Sequence, residues 1–268
     1  MSWITARRRH PAAGYVVVAL VLILIGGGYA VATGGRAAAS SPVAANAAQI
    51  AQGRSLFVEN CATCHGLYAE GVNGQAPSLI GVGAAAVDFQ VSTGRMPAAE
   101  IGAENVRKPP HLTPAQTHAV AAYIQSLGGG PPIPSAAQVS TAGADTGLGQ
   151  RLFVANCAAC HNFVGAGGAL TYGKFAPPLT ASTPTQIYEA MVTGPEAMPA
   201  FNDLTVTPQE KRDIIAYVTN VRSLPNPGGF SLGRVGPVTE GLVAFLGLLF
   251  FLVLAALWIT VKHGKAHE

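Results

Sequence analysis

The motif Cys61-Ala62-Thr63-Cys64-His65 recurs in this chain as Cys157-Ala158-Ala159-Cys160-His161, and the two copies contain all four cysteines. Two thiols separated by two residues on one helical turn can each form a thioether to a haem vinyl group, and the adjacent imidazole then lies over the iron. The motifs therefore predict two covalently bound c-type haems. The predicted ligands are four thioether cysteines and one iron-ligating imidazole per motif: Cys61, Cys64, Cys157, Cys160, His65 and His161.

Zinc binding and thiol–disulfide exchange are the other chemistries in which Cys-x-x-Cys pairs occur. A tetrahedral zinc site would require the two pairs to meet across a long stretch of chain, and it would leave both histidines without a role. A thioredoxin-like pair normally occurs once, in a strand–helix unit. Two complete copies of the motif therefore favour c-type haem.

The motifs belong to a longer internal repeat, which indicates a duplicated domain. The nine residues 53–61 match residues 149–157, with Gly-x-x-Leu-Phe-Val or a close variant leading into each motif. Downstream, Ala76-Pro77-Ser78-Leu79 recurs as Ala176-Pro177-Pro178-Leu179. A Met-Pro pair then follows in each repeat.

These two methionines, Met96 and Met198, are the predicted second axial ligands. A methionine thioether closes the sixth position of a c-type haem and raises its reduction potential. An iron closed in this way transfers electrons and does not bind substrate. The sequence therefore contains no predicted catalytic residue and describes an electron carrier.

Three other side chains compete for these ligand positions. Met191 lies in a predicted helix over residues 184–192, where its apolar neighbours on one face favour core packing. His111, in a loop, and His118, within a helix, are rivals of Met96, but neither has an equivalent in the second repeat. Surface or core packing is the alternative role for both.

Each repeat closes with an amphipathic helix whose start is clearly marked. Threonine as N-cap, proline as the first helical residue and Gln or Glu three residues beyond the cap form a capping box. Gly128 and Pro225 mark the expected ends. The cap residues are Thr113, Pro114 and Gln116 in the first repeat and Thr207, Pro208 and Glu210 in the second.

Each repeat resembles the class I cytochrome c fold, in which an opening helix crosses a closing helix beside the haem. In that family a glycine on the opening helix permits close approach, and aromatic residues pack at the crossing. A glycine inside a helix costs about 1 kcal/mol, so its presence at the same place in both repeats indicates close contact, although ordinary opening-turn glycines are the alternative. The matching residues are Gly53, Phe57 and Tyr123, then Gly149, Phe153 and Tyr217.

A hydrophobic segment lies near the N-terminus. Residues 11–35 contain no charge, and Arg7, Arg8 and Arg9 precede them, which places the N-terminus on the cytoplasmic side. The apolar length is marginal for crossing a bilayer. Residues 37–48 offer small-residue cleavage sites, so an uncleaved anchor, which we favour, and a cleaved signal peptide both remain open.

The C-terminal hydrophobic segment is longer. Residues 242–261 have no charge and are apolar on all faces, and Lys262 and Lys265 follow. This length and charge pattern predict a transmembrane helix whose end is cytoplasmic; a buried core helix is the alternative.

The formal net charge of +3 comes from the N-terminal residues 1–36, which contribute +4. Residues 37–237 carry 10 Lys and Arg against 11 Asp and Glu, so the basic excess reflects membrane topology and not a nucleic-acid patch. By resemblance to other c-type cytochromes, the haem domains lie outside the cytoplasm.

The sequence thus predicts an all-α chain of two tandem class I cytochrome c domains flanked by transmembrane helices. Each domain is small, and haem supplies apolar core. The expected parts are an anchor or signal segment (1–36), domain 1 (47–130), a linker (131–146), domain 2 (147–224), a juxtamembrane segment (225–241) and the transmembrane helix (242–261).

This arrangement closely resembles the dihaem cytochrome c subunit of the actinobacterial menaquinol–cytochrome c reductase, the cytochrome bcc complex. The resemblance covers nearly the whole chain, and the helix after the second domain is its most distinguishing part. It implies that the chain is a subunit of a proton-translocating oxidoreductase in the cell membrane. The implied partners are a cytochrome b subunit, a Rieske iron–sulfur protein as electron donor and a terminal cytochrome c oxidase as acceptor in a supercomplex. The chain itself would have no quinol site, because such a pocket needs several membrane helices.

Three other functions are compatible with two haem motifs. A membrane-anchored dihaem cytochrome could serve another dehydrogenase or oxidase. A dihaem peroxidase would require one open iron site. A sensory haem module would require an attached signalling domain, and this sequence contains none.

Overall fold

The computed structural model describes residues 13–34, 46–100, 102, 104–225, 232–234 and 237–264. The arginines at 7–9, most of the candidate cleavage region and Lys265 lie outside these residues. Residues 1–44 form a unit of their own, in which Ala13–Gly34 is helix α1. Its apolar part, Gly14–Gly27, is shorter than a bilayer-spanning stretch. The N-terminal transmembrane helix therefore stays a prediction.

The first repeat is helical. A long opening helix runs into the short turn that carries the first motif, and two further helices follow. They are α2 (Ala47–Asn60), α3 (Ala62–His65), α4 (Ala84–Ser92) and α5 (Pro114–Gly128).

The second repeat has the same order, with a short helix before it and a membrane-length helix after it. The helices are α6 (Ala136–Val139), α7 (Thr146–Asn156), α8 (Ala158–His161), α9 (Pro184–Thr193), α10 (Pro208–Ser223) and α11 (Pro237–Gly264).

A small hairpin departs from the predicted all-α class. Strands β1 (Gly168–Ala169) and β2 (Phe175–Ala176) pair antiparallel, with Gly168 opposite Ala176. The second repeat has a longer stretch between its motif histidine and the Ala-Pro pair, and this length allows two residues to pair on each side. The first repeat has only a single bridge, Val72 to Ala76. The described chain is therefore mostly helical.

The predicted helix crossings are confirmed. α2 packs against α5 and α7 against α10. A Cβ atom on Gly53 would overlap the carbonyl oxygen of Ala119, and one on Gly149 would overlap that of Asp213. Close backbone approach, rather than an opening turn, therefore explains both glycines.

Aromatic pairs fill both crossings as predicted. The ring centroids of Phe57 and Tyr123 lie 5.5 Å apart, and those of Phe153 and Tyr217 lie 5.3 Å apart. These distances are typical of tilted aromatic contacts. Phe57 and Phe153 are almost completely buried, so each crossing lies at the centre of its domain core.

The predicted capping boxes are also confirmed. Thr113 accepts from the backbone N–H of Gln116 and begins α5, and Thr207 accepts from that of Glu210 and begins α10. In each box the Gln or Glu side chain accepts the N–H of the threonine in return. The two closing helices therefore start where the sequence indicates.

The segment predicted as a linker is held against the second repeat. It contains α6, from which the side-chain amide of Gln138 donates to the hydroxyl of Tyr188 at 3.1 Å. Arg212 on α10 donates to the carbonyl oxygens of Ser140 and Ala142, at 2.9 and 2.7 Å. This part of residues 131–146 thus adds contacts to the second domain.

The two repeats contact each other through equivalent helices, since α4 packs against α9. The amide of Gln186 donates to the hydroxyl of Ser92 at 3.1 Å, and its carbonyl oxygen accepts from Arg107 at 3.0 Å. Two carboxylates also accept backbone amides across this contact, Glu196 from Asn105 and Glu104 from Phe175, both at 2.9 Å.

Helix α11 has the length and composition expected of a membrane span. Its apolar stretch, Thr239–Thr260, has 22 residues. The side chains in that stretch are mostly exposed, including Phe245, Phe251 and Leu252. The alternative of a buried core helix is therefore wrong.

Candidate haem sites

Each motif forms one helical turn at the end of the opening helix. In the first repeat the amide of Cys61 donates to Phe57, and the amide of His65 donates back to the carbonyl of Cys61 at 3.0 Å. The second motif repeats this geometry, with His161 donating to Cys157 at 2.9 Å. A bond from residue i+4 to residue i places cysteine and histidine on the same side of the turn.

One backbone carbonyl orients each motif histidine. Nδ1 of His65 lies 2.8 Å from the carbonyl oxygen of Pro77, and Nδ1 of His161 lies 3.0 Å from that of Pro177. Because a carbonyl can only accept, Nδ1 is the donor, which leaves Nε2 as the ring nitrogen that can face a metal. A metal-ligating histidine commonly has this arrangement.

The role of the two prolines was not predicted from the sequence. The signal that could have indicated it was the repeated Ala-Pro pair, which lies downstream of both motifs. In both repeats this pair brings its proline carbonyl to the motif histidine, although 12 residues separate histidine and proline in the first repeat and 16 in the second.

Both predicted methionine ligands lie against the core of their own domain. Met96 packs against the first core together with Cys61, and Met198 packs against the second together with Cys157. Because each cysteine lies against a different core, the two Cys-x-x-Cys pairs do not form the shared zinc site considered above.

The rival ligands have other surroundings. Met191 is 3% exposed and belongs to the second core, as expected for a packing residue. His111 is exposed in its loop. His118 is half-exposed on α5, with Nε2 3.5 Å from a carboxylate oxygen of Asp88.

A cavity of about 330 Å³ in the second repeat brings the predicted ligands of that repeat together. Its walls include Cys157, Cys160, His161 and Met198, and most of the remaining lining is apolar. Two thiols, an imidazole with a free Nε2 and a thioether around an apolar space suit a covalently attached haem. The residues present therefore fit the group that the motif implies.

Burial sets the protonation of these groups. Desolvation, with a smaller contribution from the neighbouring motif cysteine, raises the pKa of Cys61 and that of Cys157 to about 11. Both thiols are thus protonated at neutral pH. Desolvation also lowers the pKa of His161, an effect that the bond to Pro177 opposes. His161 is therefore neutral, as iron ligation requires.

Residues of the first repeat form one wall of the cavity in the second repeat. Five residues of domain 1 line it beside the predicted ligands: Phe89, Arg95, Glu104, Val106 and Arg107. The two domains thus share this site.

Two family models match the chain. Residues 50–128 match the model described as cytochrome c, and residues 144–218 match the model described as cytochrome c oxidase, cbb3-type, subunit III. Each match contains one motif and its predicted methionine. Both repeats are thereby cytochrome c domains.

Curated relatives match over most of the chain. The cytochrome bc1 complex cytochrome c subunit of Corynebacterium diphtheriae is 46% identical over 226 residues, which is 79% of this chain and 80% of that protein. The protein of the same name from Mycobacterium leprae is 46% identical over 81% of this chain and 77% of its own length. The cbb3-type cytochrome c oxidase subunit CcoP of Rhodobacter capsulatus is 38% identical over 32% of each chain.

Proposed function

The chain belongs to the family of cytochrome bc1 complex cytochrome c subunits, and from this membership we propose a specific path of electrons through it. A cytochrome b subunit oxidises menaquinol, and a Rieske iron–sulfur protein passes one electron at a time to the first haem. The second domain would then deliver the electron to a terminal cytochrome c oxidase through the haem that its motif and Met198 would hold. The arrangement of a motif histidine with a proline carbonyl in both repeats carries this proposal, because it prepares two equivalent iron sites in one chain.

The residues that would hold the two haems follow the repeat. Thioethers come from the two cysteines of each motif, and each haem supplies a one-electron couple when bound. His65 with Met96, and His161 with Met198, are the residues that would ligate the two irons. The neutral state of His161 and the packing of both methionines at their cores support these assignments.

The contact between the repeats supports direct transfer from one haem to the other. α4 and α9 pack together, and Gln186 is hydrogen-bonded to both Ser92 and Arg107. Such bonds hold the domains in one relative position instead of leaving them on a free tether. A fixed separation suits a chain that replaces a mobile electron carrier.

We assign the haem domains to the extracytoplasmic side of the cell membrane. The C-terminal helix α11 anchors the second domain, with its basic end in the cytoplasm, as the positive-inside rule indicates. If the N-terminal segment is retained, both termini are cytoplasmic.

Purification of the chain from membranes, through a C-terminal affinity tag, tests this function. We expect a complex that contains cytochrome b, Rieske and oxidase subunits, two covalent haems per chain of this protein, and menaquinol-dependent oxygen consumption. Recovery without cytochrome b and Rieske subunits would contradict the proposal and favour a cytochrome that serves another enzyme. A high-spin haem with peroxide turnover would indicate a peroxidase.

A further inference from the structure

Arg95 is a buried cation on the wall that the first domain contributes to the cavity of the second. Only 6% of this residue is exposed, and its guanidinium carbon lies 5.0 Å from the centroid of the Phe89 ring. Its Nη1 has no hydrogen-bond partner among the described residues. A buried polar group without a partner is unfavourable, and a buried charge more so.

No carboxylate of the described chain compensates Arg95 directly. Glu196 lines the same cavity as Arg95. Glu196 is exposed, and its carboxylate already accepts the backbone N–H of Asn105. No ion pair between Arg95 and Glu196 is present in the described part of the chain. The cation therefore lacks a close anion.

A second cation lies on the same wall. Arg107 lines the cavity together with Arg95. One nitrogen of Arg107 is used by Gln186, which leaves other N–H groups available. Two guanidinium groups on one wall repel each other unless an anion lies between or beside them.

The group that fits this cavity brings such anions, because a haem carries two propionate carboxylates. We propose that Arg95, assisted by Arg107, binds the propionates of the second haem, so that the first domain completes the haem site of the second. This inference rests on the proposed second haem. Guanidinium and carboxylate pair through charge-assisted hydrogen bonds, which supply the partner that Nη1 lacks.

The pairing has a redox consequence. A cation held near a haem favours the reduced form, which carries one positive charge fewer. Arg95 thus raises the potential of the second haem relative to the first and directs electrons towards it. The same ion pair keeps the propionate ionised at neutral pH.

The test is a redox titration of the full chain in its complex, with the two haems resolved spectrally. The second haem is identified as the one whose potential changes in a Met198→Ala chain. In Arg95→Gln we expect the electron distribution to shift about tenfold towards the first haem, which is about 59 mV for a one-electron couple. The exposed Arg54→Gln, with the same charge change in the same domain, should leave both potentials unchanged.

A purely structural role for Arg95 would not alter propionate titration. In Arg95→Gln we expect the potential of the second haem to depend on pH near neutrality. In Arg95→Lys, which keeps a cation, this dependence should be much weaker than in Arg95→Gln. Arg107→Gln should shift the same haem by less. If Arg95→Gln does not retain haem, Arg95→Lys and Arg107→Gln are judged by the same measurements.

Two results would overturn the inference. One is an unchanged potential of the second haem in all three variants. The other is a shift confined to the potential of the first haem, which Arg95 approaches through its neighbour Met96. The proposed function fails separately, if the unsubstituted chain lacks two haems or its partner subunits.

Discussion

At each haem site, one proline carbonyl determines which ring nitrogen of the motif histidine is free. The sequence motif identifies His65 and His161, but it does not indicate which ring nitrogen is free. The carbonyl oxygens of Pro77 and Pro177 decide this, because they hold the proton on Nδ1. That contact depends on where a loop returns after folding, and it could not be derived from local spacing alone.

We expect Met198→Ala to lower the potential of the second haem while the haem stays attached through Cys157 and Cys160. Loss of the thioether ligand removes the group that favours the reduced iron. The fall should exceed the roughly 59 mV that corresponds to a factor of ten. Redox titration and the sulfur–iron absorption band of the oxidised protein measure it.

Met191→Leu is the matched control for Met198→Ala. It keeps the volume of a buried side chain, so the band and both potentials should remain. If the Met191 variant loses the band and the Met198 variant keeps it, the ligand assignment is wrong.

Glu189 is a fully buried acid at the contact between the domains, and neither of its carboxyl oxygens has a hydrogen-bond donor in the described chain. Burial, together with the charge and proximity of Asp88, raises its pKa from 4.5 to about 10. Glu189 and Asp88 can share a hydrogen bond only if one of them is protonated. The raised pKa assigns that proton to Glu189, which then donates to Asp88. Nε2 of His118 lies 3.5 Å from a carboxylate oxygen of Asp88.

Glu189 therefore makes stability depend on pH. Its folded pKa is higher than the unfolded value, so its contribution is complete below pH 4.5 and is lost as the pH rises towards 10. We expect Glu189→Gln to reduce this loss, so that the unfolding temperature falls less between pH 6 and pH 9 than in the unsubstituted chain. Calorimetry measures this difference.

The exposed Glu100→Gln provides the control for Glu189→Gln, because it makes the same replacement without altering the buried pair. It should follow the unsubstituted chain at every pH. Equal slopes for Glu189→Gln and the unsubstituted chain would show that Glu189 is ionised in the folded protein.

Among the helices, the crossing of the opening and closing helix in each domain was predictable, whereas the contact between the domains was not. Gly53 and Gly149 sit at the same place in two copies, and capping boxes mark α5 and α10 locally. The α4–α9 contact joins segments about 100 residues apart through Gln186 and Ser92, which carry no periodic signal. Tertiary packing alone creates this contact, along with the buried Arg95.

We expect Gly149→Ala to separate α7 from α10. The added methyl group would overlap the backbone of Asp213, which cannot move as a flexible side chain can. Such overpacking typically costs about 1–3 kcal/mol. Denaturant unfolding of the second domain, followed by its haem absorption, measures the loss.

Gln150→Ala, next to Gly149 on the exposed face of α7, is a control for changes in helix propensity. Its effect should stay within a few tenths of a kcal/mol. If Gly149→Ala is equally mild, α7 and α10 accommodate the added methyl group without loss of stability. The close contact at Gly149 would then not be needed for the fold.

For the whole molecule, α11 is the described helix that is long and apolar enough to hold the two cytochrome c domains at a membrane. α11 contains an apolar stretch of 22 residues, whereas the apolar part of α1 is shorter. Most described hydrogen bonds of the haem domains lie before Pro225, and Arg234 adds one from beyond it, to the carbonyl oxygen of Val221. Anchoring and haem binding should therefore be separable.

A chain that ends after Leu224 tests this separation. We expect it to keep two covalent haems and both absorption spectra but to lose cytochrome b on purification, because in our proposal α11 anchors the second domain beside the membrane subunits. The truncated chain should still sediment with membranes through residues 11–35, and intact-mass measurement should find that segment present. A soluble product whose N-terminus lies between residues 37 and 48 would instead identify a cleaved signal peptide, which would leave α11 as the anchor of the full-length protein.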